Sequence, residues 1–437
     1  MTDSTDPDFF RDPAVLADPY PYYEFLRTQG PVYREPHHGV VMVTGYDEAR
    51  TIYSDVASFS SCNSVSGPFP GFTPPLAGPA VTDVTELVEA QRDELPMHDQ
   101  IICFDPPKHT DHRALLMRLL TPRRLAENED FMWKLADRQI DTFIERGSVE
   151  FISEYASPFA FLVIADLLGV PEQDRATFME DMQGKGRRRA MVGSAKENLE
   201  HNPLGFLYDW FSRYVEDRRR EPRQDVLTGL ATATFPDGSL PEVIDVVRVA
   251  VNLFAAGQET TVRLLGSALQ LIAERPEIQE ELRANHDRIP DFVEEMLRYE
   301  SPVKGSFRLA QLSTTVGGID IPAGTTVMLL NGAASRDASR FGNCDEFELD
   351  RAGSRQHLAF GRGVHSCPGG PLARVEARVS VQRLLERLGD IRISQEHHGP
   401  LGERRFKYVP TFILRGLTAL HLDFPPGTQG TVTATAG

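Results

Sequence analysis

The chain has 437 residues, of which 41% are hydrophobic and 25% charged, as is ordinary for a globular protein. Its formal net charge of −17 argues against nonspecific binding to nucleic acid or to an anionic membrane surface. The longest apolar stretch, residues 249–257, is far short of the ~20 residues that cross a membrane, and the acidic N-terminus lacks a signal-peptide pattern. We therefore expect a soluble, cytoplasmic protein with no membrane contact and no nucleic-acid partner.

The first hundred residues combine short strands, a short helix and an irregular segment. Residues 32–33 and 40–43 are β-branched runs on either side of a turn-like segment, which predicts a hairpin. A short helix is expected over residues 46–53. Residues 61–102 are rich in proline, glycine and serine, and long irregular segments in compact proteins are usually functional or disordered. The aromatic residues of this segment favour a loop that packs over another part of the molecule.

From residue 105 to about residue 283 the pattern is mainly helical. The sequence Asp105-Pro106-Pro107 predicts a helix start, with the acid as N-cap and the prolines in the first turn. Residues 242–274 are expected to form one long helix. The middle of that helix is apolar on every side, which is typical of a buried helix, so we expect it to cross the interior of the protein.

After residue 299 the pattern changes to short strands separated by glycine-rich turns, followed by a loop, a helix and further strands. Strands are expected at residues 314–316, 319–321 and 325–330, a loop at 333–369, a helix at 371–388 and strand-like alternation at 412–424. Residues 425–437 are small and polar, and we expect them to form a disordered tail.

A cysteine in a glycine-rich loop is the strongest chemical signal in the chain. Cys367 lies in the sequence Phe360-Gly361-Arg362-Gly363-Val364-His365-Ser366-Cys367-Pro368-Gly369, just before the predicted helix. Backbone N–H groups and a helix N-terminus stabilise a thiolate, and glycines let the backbone approach a flat ligand closely. On haem iron, a thiolate favours O–O cleavage. The alternative, a glycine loop with an incidental buried cysteine, is disfavoured by the long spacing F-x-x-G-x-x-x-C-x-G.

This segment resembles the haem-binding signature of the cytochrome P-450 family, and further motifs of that family follow in the right order over nearly the whole chain. The resemblance implies a mainly α fold with a small β region, in which haem b lies between the long central helix and the cysteine loop. Residues 1–424 would form a single haem-thiolate monooxygenase domain. Cys367 would be the iron ligand, and Phe360, Gly363 and Gly369 would contact the haem.

A second motif, Ala256-Gly257-Gln258-Glu259-Thr260-Thr261, lies in the middle of the predicted long helix. A charged side chain inside an apolar helix is costly unless it is used or paired, and a glycine there weakens the helix. In the family that the chain resembles, this is the oxygen-activation motif. Glu259 and Thr260 would be the acid–alcohol pair that delivers protons. The alternative is a packing glycine beside a surface acid.

Glu295 and Arg298 are three positions apart and therefore share one helix face. This spacing is weak evidence by itself, because other Glu–Arg pairs in the chain have it. The pair lies about seventy residues before Cys367, as in the resembling family. In that family the pair joins a further arginine, here Arg351, in a structural role that holds the loop carrying the thiolate.

Four cations match the haem-propionate positions of the resembling family. They are His109, Arg113, Arg308 and His365. Charge-assisted hydrogen bonds to carboxylates suit both arginine and histidine. For each residue taken alone, the alternative is a solvated surface cation.

Substrate contacts are expected, by the same resemblance, from a mostly apolar set of side chains. The set comprises Leu253, Ala256, Val303, Phe307 and Phe412. Its composition favours an apolar substrate. For the neighbouring Lys304, a solvent-facing position is expected rather than contact with a substrate carboxylate.

The resemblance implies a haem-dependent monooxygenase that inserts one atom of O2 into a C–H bond of a small molecule such as a steroid, terpenoid or fatty acid. Electrons would come from NAD(P)H through a reductase and a ferredoxin or flavodoxin, because the chain lacks a GxGxxG nucleotide-binding motif of its own. Two alternatives stay open: a peroxide-using haem-thiolate enzyme and a non-catalytic haem-thiolate sensor. An acidic ferredoxin would need a basic docking patch, for which the candidates are Arg118, Arg123, Arg124, Arg362 and Arg374.

Overall fold

The computed structural model describes residues 7–69, 81–182 and 200–429, and the structural statements below refer to these ranges. The fold is mainly α-helical with three small β-sheets, which confirms the expected fold class. Within these ranges, every helix is too short or too polar to cross a membrane.

The helices range from single turns to one helix of 32 residues. They are α1 Pro13–Ala17, α2 Tyr20–Gln29, α3 Tyr46–Ser54, α4 Thr85–Gln91, α5 Lys108–Met117, α6 Pro122–Asp141, α7 Ser157–Leu168, α8 Glu172–Asp181, α9 Gly205–Arg220, α10 Val226–Ala231, α11 Val243–Glu274, α12 Pro276–Ala284, α13 Ile289–Tyr299, α14 Asn331–Ala334, α15 Ala338–Phe341, α16 Gly370–Arg387 and α17 Gln395–His398.

The strands are short. They are β1 Val32–Arg34, β2 Val41–Val43, β3 Phe59–Ser60, β4 Ser148–Glu150, β5 Ser306–Ala310, β6 Thr314–Val316, β7 Ile319–Ile321, β8 Thr326–Leu329, β9 Arg392–Ile393 and β10 His421–Asp423. The largest sheet has the order β1-β2-β8-β5-β3, and its neighbours are antiparallel except for the parallel pair β2 and β8. The other two sheets are β4-β10-β9 and the hairpin β6-β7. The largest sheet therefore joins the N-terminal hairpin to strands from the last third of the chain.

The long helix α11 lies in the interior, as its apolar middle predicts. It packs against α5, α7, α9 and α16, and the side chains of its apolar middle are buried. A helix that is apolar all round needs neighbours on every side. Helix α5 also reaches the cysteine loop, because the rings of His109 and His365 lie 4.0 Å apart. Helix α5 therefore connects α11 with the cysteine loop.

Two local expectations in the first half of the chain are wrong. Residues 61–102 are not irregular throughout, because they contain α4; residues 70–80 lie outside the described ranges. Asp105 does not cap α5, which begins at Lys108. Its carboxylate instead accepts hydrogen bonds from the N–H of Ser61 at 2.8 Å and from Arg92 at 2.7 Å. The Asp105 carboxylate is therefore bound by Ser61, which directly follows β3, and by Arg92, and it does not cap the helix.

The C-terminal region also differs in part from the expectation. Of residues 412–424, the structure makes a strand only of β10, because the preceding residues form isolated bridges such as that between Val303 and Leu414. Pattern alone does not predict β5, although it lies inside the largest sheet. At the start of the expected tail, the N–H of Gly427 donates to the carbonyl of Ile144 at 3.1 Å. Residues 430–437 lie outside the described ranges.

Candidate active site

The cysteine loop is a tight turn whose conformation depends on glycine. Gly361 and Gly363 have φ angles of +61° and +70°, in the left-handed region that side chains disfavour. A Cβ atom at Gly363 would also collide with the carbonyl oxygen of Tyr53 in α3. The N–H of Cys367 donates to the carbonyl of Phe360 at 2.8 Å, which closes the loop. The glycines therefore let the loop press against α3 and place Cys367 just before α16.

Cys367 presents its thiol at the N-terminal end of α16. Its side chain keeps accessible surface, whereas the other three cysteines are buried. The surrounding protein nevertheless raises the pKa of the thiol, because burial outweighs the opposing effects of the Gly369 and Gly370 N–H groups and of the Arg113 charge. The same N–H groups and the same cation would stabilise a thiolate if a metal ion bound the sulfur.

The four cations expected to bind propionates converge beside the cysteine loop. His109 and His365 have their rings in contact, and Arg113 and Arg308 are close enough to both rings to act on them electrostatically. Arg308 is only 5% exposed. Its Nη1 donates to the Ser64 hydroxyl at 3.2 Å and to the Phe307 carbonyl at 2.6 Å, which are neutral acceptors. The buried Arg308 and the partly buried Arg113 therefore supply the positive charge of this cluster.

The histidines of this cluster are left with unused hydrogen-bonding capacity. Burial, with the charges of Arg113 and Arg308, lowers the pKa of His109 to about 4 and that of His365 to about 2. His109 Nδ1 and His365 Nε2 are buried without a hydrogen-bond partner among the described residues. Leaving such atoms unpaired is costly, and the nearby cations favour an anion. A flat group that carries two carboxylates, as haem does, fits these residues.

Phe360, Gly363 and Gly369 flank Cys367 within the same loop. The Phe360 ring is partly buried and packs under the Arg374 guanidinium, 4.7 Å from the ring centroid. A Cβ atom at Gly369 would lie in van der Waals contact with the Cys367 sulfur, at 3.8 Å. Gly363 is exposed. These positions are compatible with a flat ligand lying against the loop.

Glu259 and Thr260 lie in the uninterrupted middle of α11. The Thr260 hydroxyl donates to the carbonyl of Ala256, one turn earlier, at 2.8 Å. Glu259 forms an ion pair with Arg263, one turn later, and its side chain is 45% exposed. The acid is therefore paired and accessible. The sequence alone suggests instead an acid enclosed in an apolar helix. Together the two side chains offer a proton donor and a carboxylate on consecutive positions.

The structure brings together Glu295, Arg298 and Arg351. Glu295 Oε1 accepts from Arg298 Nη2 at 2.7 Å and from Arg351 Nε at 2.9 Å, and Oε2 accepts from Arg298 Nε at 2.8 Å. Arg298 also donates to the carbonyls of Cys344 at 2.7 Å and Glu346 at 2.8 Å. The three side chains tie α13 to the segment that leads into the cysteine loop.

A second ion cluster beside the loop is not apparent from the sequence. Glu294 binds His357 Nε2 at 3.2 Å and Arg374 Nη2 at 3.1 Å. These hydrogen bonds and charges outweigh burial and lower the pKa of Glu294 to about 2. Arg374 thereby connects α13, α16 and the Phe360 ring. Glu294 directly precedes the predicted Glu295, but its partners lie more than sixty positions later in the chain.

The residues expected to contact substrate fall into two groups. Ala256 is exposed, Val303 is partly exposed and Leu253 is 5% exposed on α11. Phe307 and Phe412 are buried instead, with their ring centroids 6.3 Å and 5.2 Å from that of Phe10. The N-terminal segment therefore covers these two rings.

Lys304 does not face solvent, contrary to the sequence-based expectation. It is 2% exposed, and its Nζ donates to the carbonyls of Leu16 and Thr411, both at 2.8 Å. Burial lowers its pKa to about 7. Two backbone acceptors from distant segments thus hold the ammonium group in a structural position.

The five arginines proposed for ferredoxin docking are not equivalent. The Arg123 side chain is 90% exposed and pairs with Glu127 at 2.9 Å. Arg124 donates to the carbonyls of Asp166 and Leu167, and Arg374 is paired with Glu294. The remaining two make single contacts, Arg118 with the Thr234 carbonyl and Arg362 with the Gln356 carbonyl, both at 3.3 Å. A patch of five freely available cations is therefore not present.

Glu376 of α16 is a buried carboxyl that faces α11. Its Oε2 accepts a hydrogen bond from the Thr261 hydroxyl at 2.9 Å, and burial raises its pKa to about 8. Between pH 4.5, the ordinary value, and about 8, the folded state therefore holds a proton that the unfolded state has lost. Stability contributed by this group falls as pH rises through that window.

We expect Glu376→Gln to stabilise the protein progressively more as pH rises from 5 to 8, at up to ~1.4 kcal/mol per pH unit. An amide keeps the acceptor for Thr261 and carries no charge to bury. Thermal unfolding midpoints across that pH range provide the measurement. Glu277→Gln, at an exposed position of α12, should leave the pH slope unchanged. Parallel curves for wild type and Glu376→Gln would contradict the prediction.

Comparison with known proteins gives consistent matches. The cytochrome P450 family model matches residues 206–389. Mycobacterium marinum cytochrome P450 CYP150A6, solved in the substrate-free form, is 56% identical with a TM-score of 0.88 and covers 96% of this chain and 99% of its own. Cytochrome P450 144 of Mycobacterium tuberculosis is 34% identical over 403 residues, 89% of this chain and 86% of that protein. CYP109E1 of Bacillus megaterium, solved in complex with testosterone, is 26% identical with a TM-score of 0.74, covering 93% and 99%.

The similarity extends along nearly the full length of the chain and coincides with the geometry of the site. The site contains an accessible cysteine in a glycine loop, buried histidine nitrogens without a partner among the described residues, and the paired Glu295. The family implies a haem cofactor, and the buried, unpartnered histidine nitrogens fit its carboxylates. The chain belongs to the cytochrome P450 family of monooxygenases.

Proposed function

We propose that the enzyme uses haem b to insert one atom of O2 into a C–H bond of a mostly apolar small molecule. The observation that carries this proposal is the convergence of His109, His365 and Arg308 beside the Cys367 loop, with unpaired histidine nitrogens among buried positive charge. Cys367 would bind the iron, and His109, Arg113, Arg308 and His365 would bind the propionates. Haem held in this way supplies the activation of O2 and the transfer of an oxygen atom.

The protein's own contribution to oxygen activation is assigned to α11. The Thr260 hydroxyl, which donates to the Ala256 carbonyl, would supply a proton for oxygen activation. Glu259, whose side chain is 45% exposed, would take up a proton from solvent and return it to the threonine. Consecutive helix positions do not face each other, so transfer of a proton between the two groups would need water as an intermediary. Retention of this pair also argues against an enzyme that uses only peroxide and against a sensor, since neither needs proton delivery.

The substrate class is proposed from the lining of α11 and the segment after α13. Leu253 and Ala256 are apolar and lie outside the cluster that the N-terminal segment forms with Phe307 and Phe412, and the partly exposed Val303 packs against the edge of that cluster. An apolar lining favours steroids, terpenoids, fatty acids or similar molecules. The testosterone bound to the related CYP109E1 supports a steroid as the first compound to test.

Electrons are proposed to come from NAD(P)H through a separate reductase and a ferredoxin or flavodoxin. For a ferredoxin, the docking surface would centre on Arg123, Arg118 and Arg362, because Arg124 and Arg374 are held by other groups. Since the net charge is −17, such a surface would act by local attraction.

We expect Thr260→Ala to retain haem and substrate binding but to divert reducing equivalents from product to peroxide. Losing a positioned proton donor slows its step by roughly 100-fold or more, so product formed per NAD(P)H consumed should fall at least ~10-fold. The measurement compares product, peroxide and NAD(P)H consumption with a substrate identified by its shift of the haem absorption. Thr260→Ser keeps the hydroxyl and should retain coupling. Unchanged product per NAD(P)H in Thr260→Ala would refute the assigned role.

A further inference from the structure

The partner of Glu259 is an unusually enclosed arginine on the same helix. Arg263 lies four positions after Glu259, and its Nη2 pairs with Glu259 Oε1. The Arg263 side chain is 6% exposed, and its Nε is buried without a hydrogen-bond partner among the described residues. An ion pair at this spacing on a helix surface stabilises a protein by less than an unpaired buried donor costs. Helix stability alone therefore does not account for Arg263.

A glycine from another segment fits against the stem of this arginine. A Cβ atom at Gly416 would lie 2.6 Å from Arg263 Cγ and 2.9 Å from its Cβ and Cδ. Real Cβ atoms do not approach so closely, so any side chain at Gly416 must displace Arg263 or the segment itself. The absence of a side chain at position 416 thus allows the segment to hold the arginine in place.

Gly416 belongs to a hairpin-like loop, residues 408–417, which we call the C-terminal hairpin. Its base is closed by a bridge between Tyr408 and Leu417 and by the hydrogen bond from Val409 N to Gly416 O at 3.0 Å.

The other end of the C-terminal hairpin touches the segment that contains Val303. The N–H of Lys304 donates to the Ile413 carbonyl at 2.6 Å, and the N–H of Arg415 donates to the Pro302 carbonyl at 2.9 Å. Val303 itself forms a bridge with Leu414. One small hairpin therefore contacts both the proposed substrate-lining segment and the arginine that pairs with Glu259.

We propose that Arg263 is a positioning residue for the Glu259 carboxylate and that the C-terminal hairpin, through Gly416, sets the position of Arg263. This inference rests on the proposed proton-delivery role of Glu259. Arg263 orients the carboxylate on the helix, and the hairpin prevents the guanidinium from swinging away.

The test replaces the arginine and the glycine in the full-length, haem-loaded enzyme. Arg263→Ala should lower product per NAD(P)H about 10-fold, less than loss of a proton donor itself, because the acid remains but is misplaced. Haem content and the carbon monoxide spectrum should stay unchanged. Added ethylguanidinium should restore part of the coupling, that is, of the product formed per NAD(P)H consumed, in Arg263→Ala. A merely structural defect would not permit this rescue. Gly416→Ala should reproduce the loss without removing any charge.

A double-mutant cycle separates the inference from the proposed function. If Arg263 acts through Glu259, then Glu259→Gln combined with Arg263→Ala should be no worse than Glu259→Gln alone. Coupling that falls in Glu259→Gln but not in Arg263→Ala or Gly416→Ala overturns this inference only. Coupling unchanged in Glu259→Gln overturns the proposed role of Glu259.

Two further variants serve as controls, one for the charge of Arg263 and one for the loss of an arginine elsewhere in the protein. Arg263→Lys keeps the charge and should lose less coupling than Arg263→Ala; if Arg263→Ala fails to fold, Arg263→Lys and Gly416→Ala carry the test. Arg220→Ala removes an exposed arginine that pairs with Asp217 at 3.0 Å on α9, and it should leave coupling unchanged. Equal losses in Arg220→Ala and Arg263→Ala would overturn the inference.

Discussion

Glu295→Ala is expected to leave most of the protein without haem and to lower its free energy of unfolding by about 3–5 kcal/mol. The side chains of Glu295 and Arg298 have no solvent-exposed surface, and Arg351 is only 5% exposed. Removing the carboxylate leaves the Arg298 guanidinium in the interior without its ion-pair partner and leaves Arg351 with the half-exposed Glu348, 3.3 Å away. This loss is a large part of the ~5–15 kcal/mol that stabilises a typical folded protein.

The haem defect follows from what the three residues connect. Arg298 and Arg351 also donate to backbone carbonyls of the segment that precedes the cysteine loop, including those of Cys344 and Glu346. Without Glu295 the arginines lose their orientation, and the segment loses its attachment to α13. Haem per chain and urea denaturation of the purified variant measure the two effects separately.

Glu280→Ala is the matched control. Glu280 stands three positions before Arg283, the same spacing, but it is exposed and Arg283 donates to the carbonyls of Leu385 and Gly389. Its removal should change stability by less than ~0.5 kcal/mol. Glu295→Ala protein with wild-type haem content and a wild-type denaturation midpoint would contradict the structural role of the cluster.

The contrast between these two pairs indicates what sequence spacing can predict. Both have glutamate and arginine three positions apart, and spacing alone cannot separate a buried pair from an exposed one. The family resemblance selects the correct pair because Cys367 and Arg351 follow at the expected distances. The long helix can be predicted without the family resemblance. Its apolar middle predicts a helix over residues 242–274, and the structure has α11 at Val243–Glu274.

Features that depend on distant partners could not be predicted in the same way. Lys304 is buried because the carbonyls of Leu16 and Thr411 converge on its ammonium group. Phe307 and Phe412 are covered because Phe10, in the N-terminal segment, packs against both rings. Each case joins residues from separate parts of the chain, and a local pattern contains no information about such an encounter.

Strand β5 shows the same limit in secondary structure. Its sequence, Ser306–Ala310, has Arg308 at the centre, which reads locally as an exposed position. In the structure β3 and β8 flank the strand, and the arginine is enclosed by the Tyr53 ring and the Ser64 hydroxyl. The distant partners that bury Arg308 therefore cannot be recognised from the sequence of the strand itself.

Cys367→Ser is expected to abolish the strongly red-shifted Soret band that a thiolate-bound haem gives with carbon monoxide in the reduced state. A serine hydroxyl does not ionise in this pocket, so the electron donation of a thiolate is lost. Substituting a residue that hydrogen-bonds to a metal ligand costs up to ~100-fold in activity, and replacing the ligand itself should lower monooxygenase activity by more than that. The measurement is the carbon monoxide difference spectrum of reduced protein, normalised to haem content.

Cys344→Ser provides the comparison for a change from sulfur to oxygen elsewhere in the chain. Cys344 is buried near the Glu295 cluster, and its carbonyl rather than its thiol contacts Arg298. The red-shifted band should therefore persist in Cys344→Ser, even if less haem-loaded protein is recovered. Loss of the band is expected for Cys367→Ser instead, because the glycines of the loop and the nearby N–H groups are arranged around the Cys367 sulfur. Identical carbon monoxide spectra for wild-type and Cys367→Ser protein would rule out Cys367 as the iron ligand.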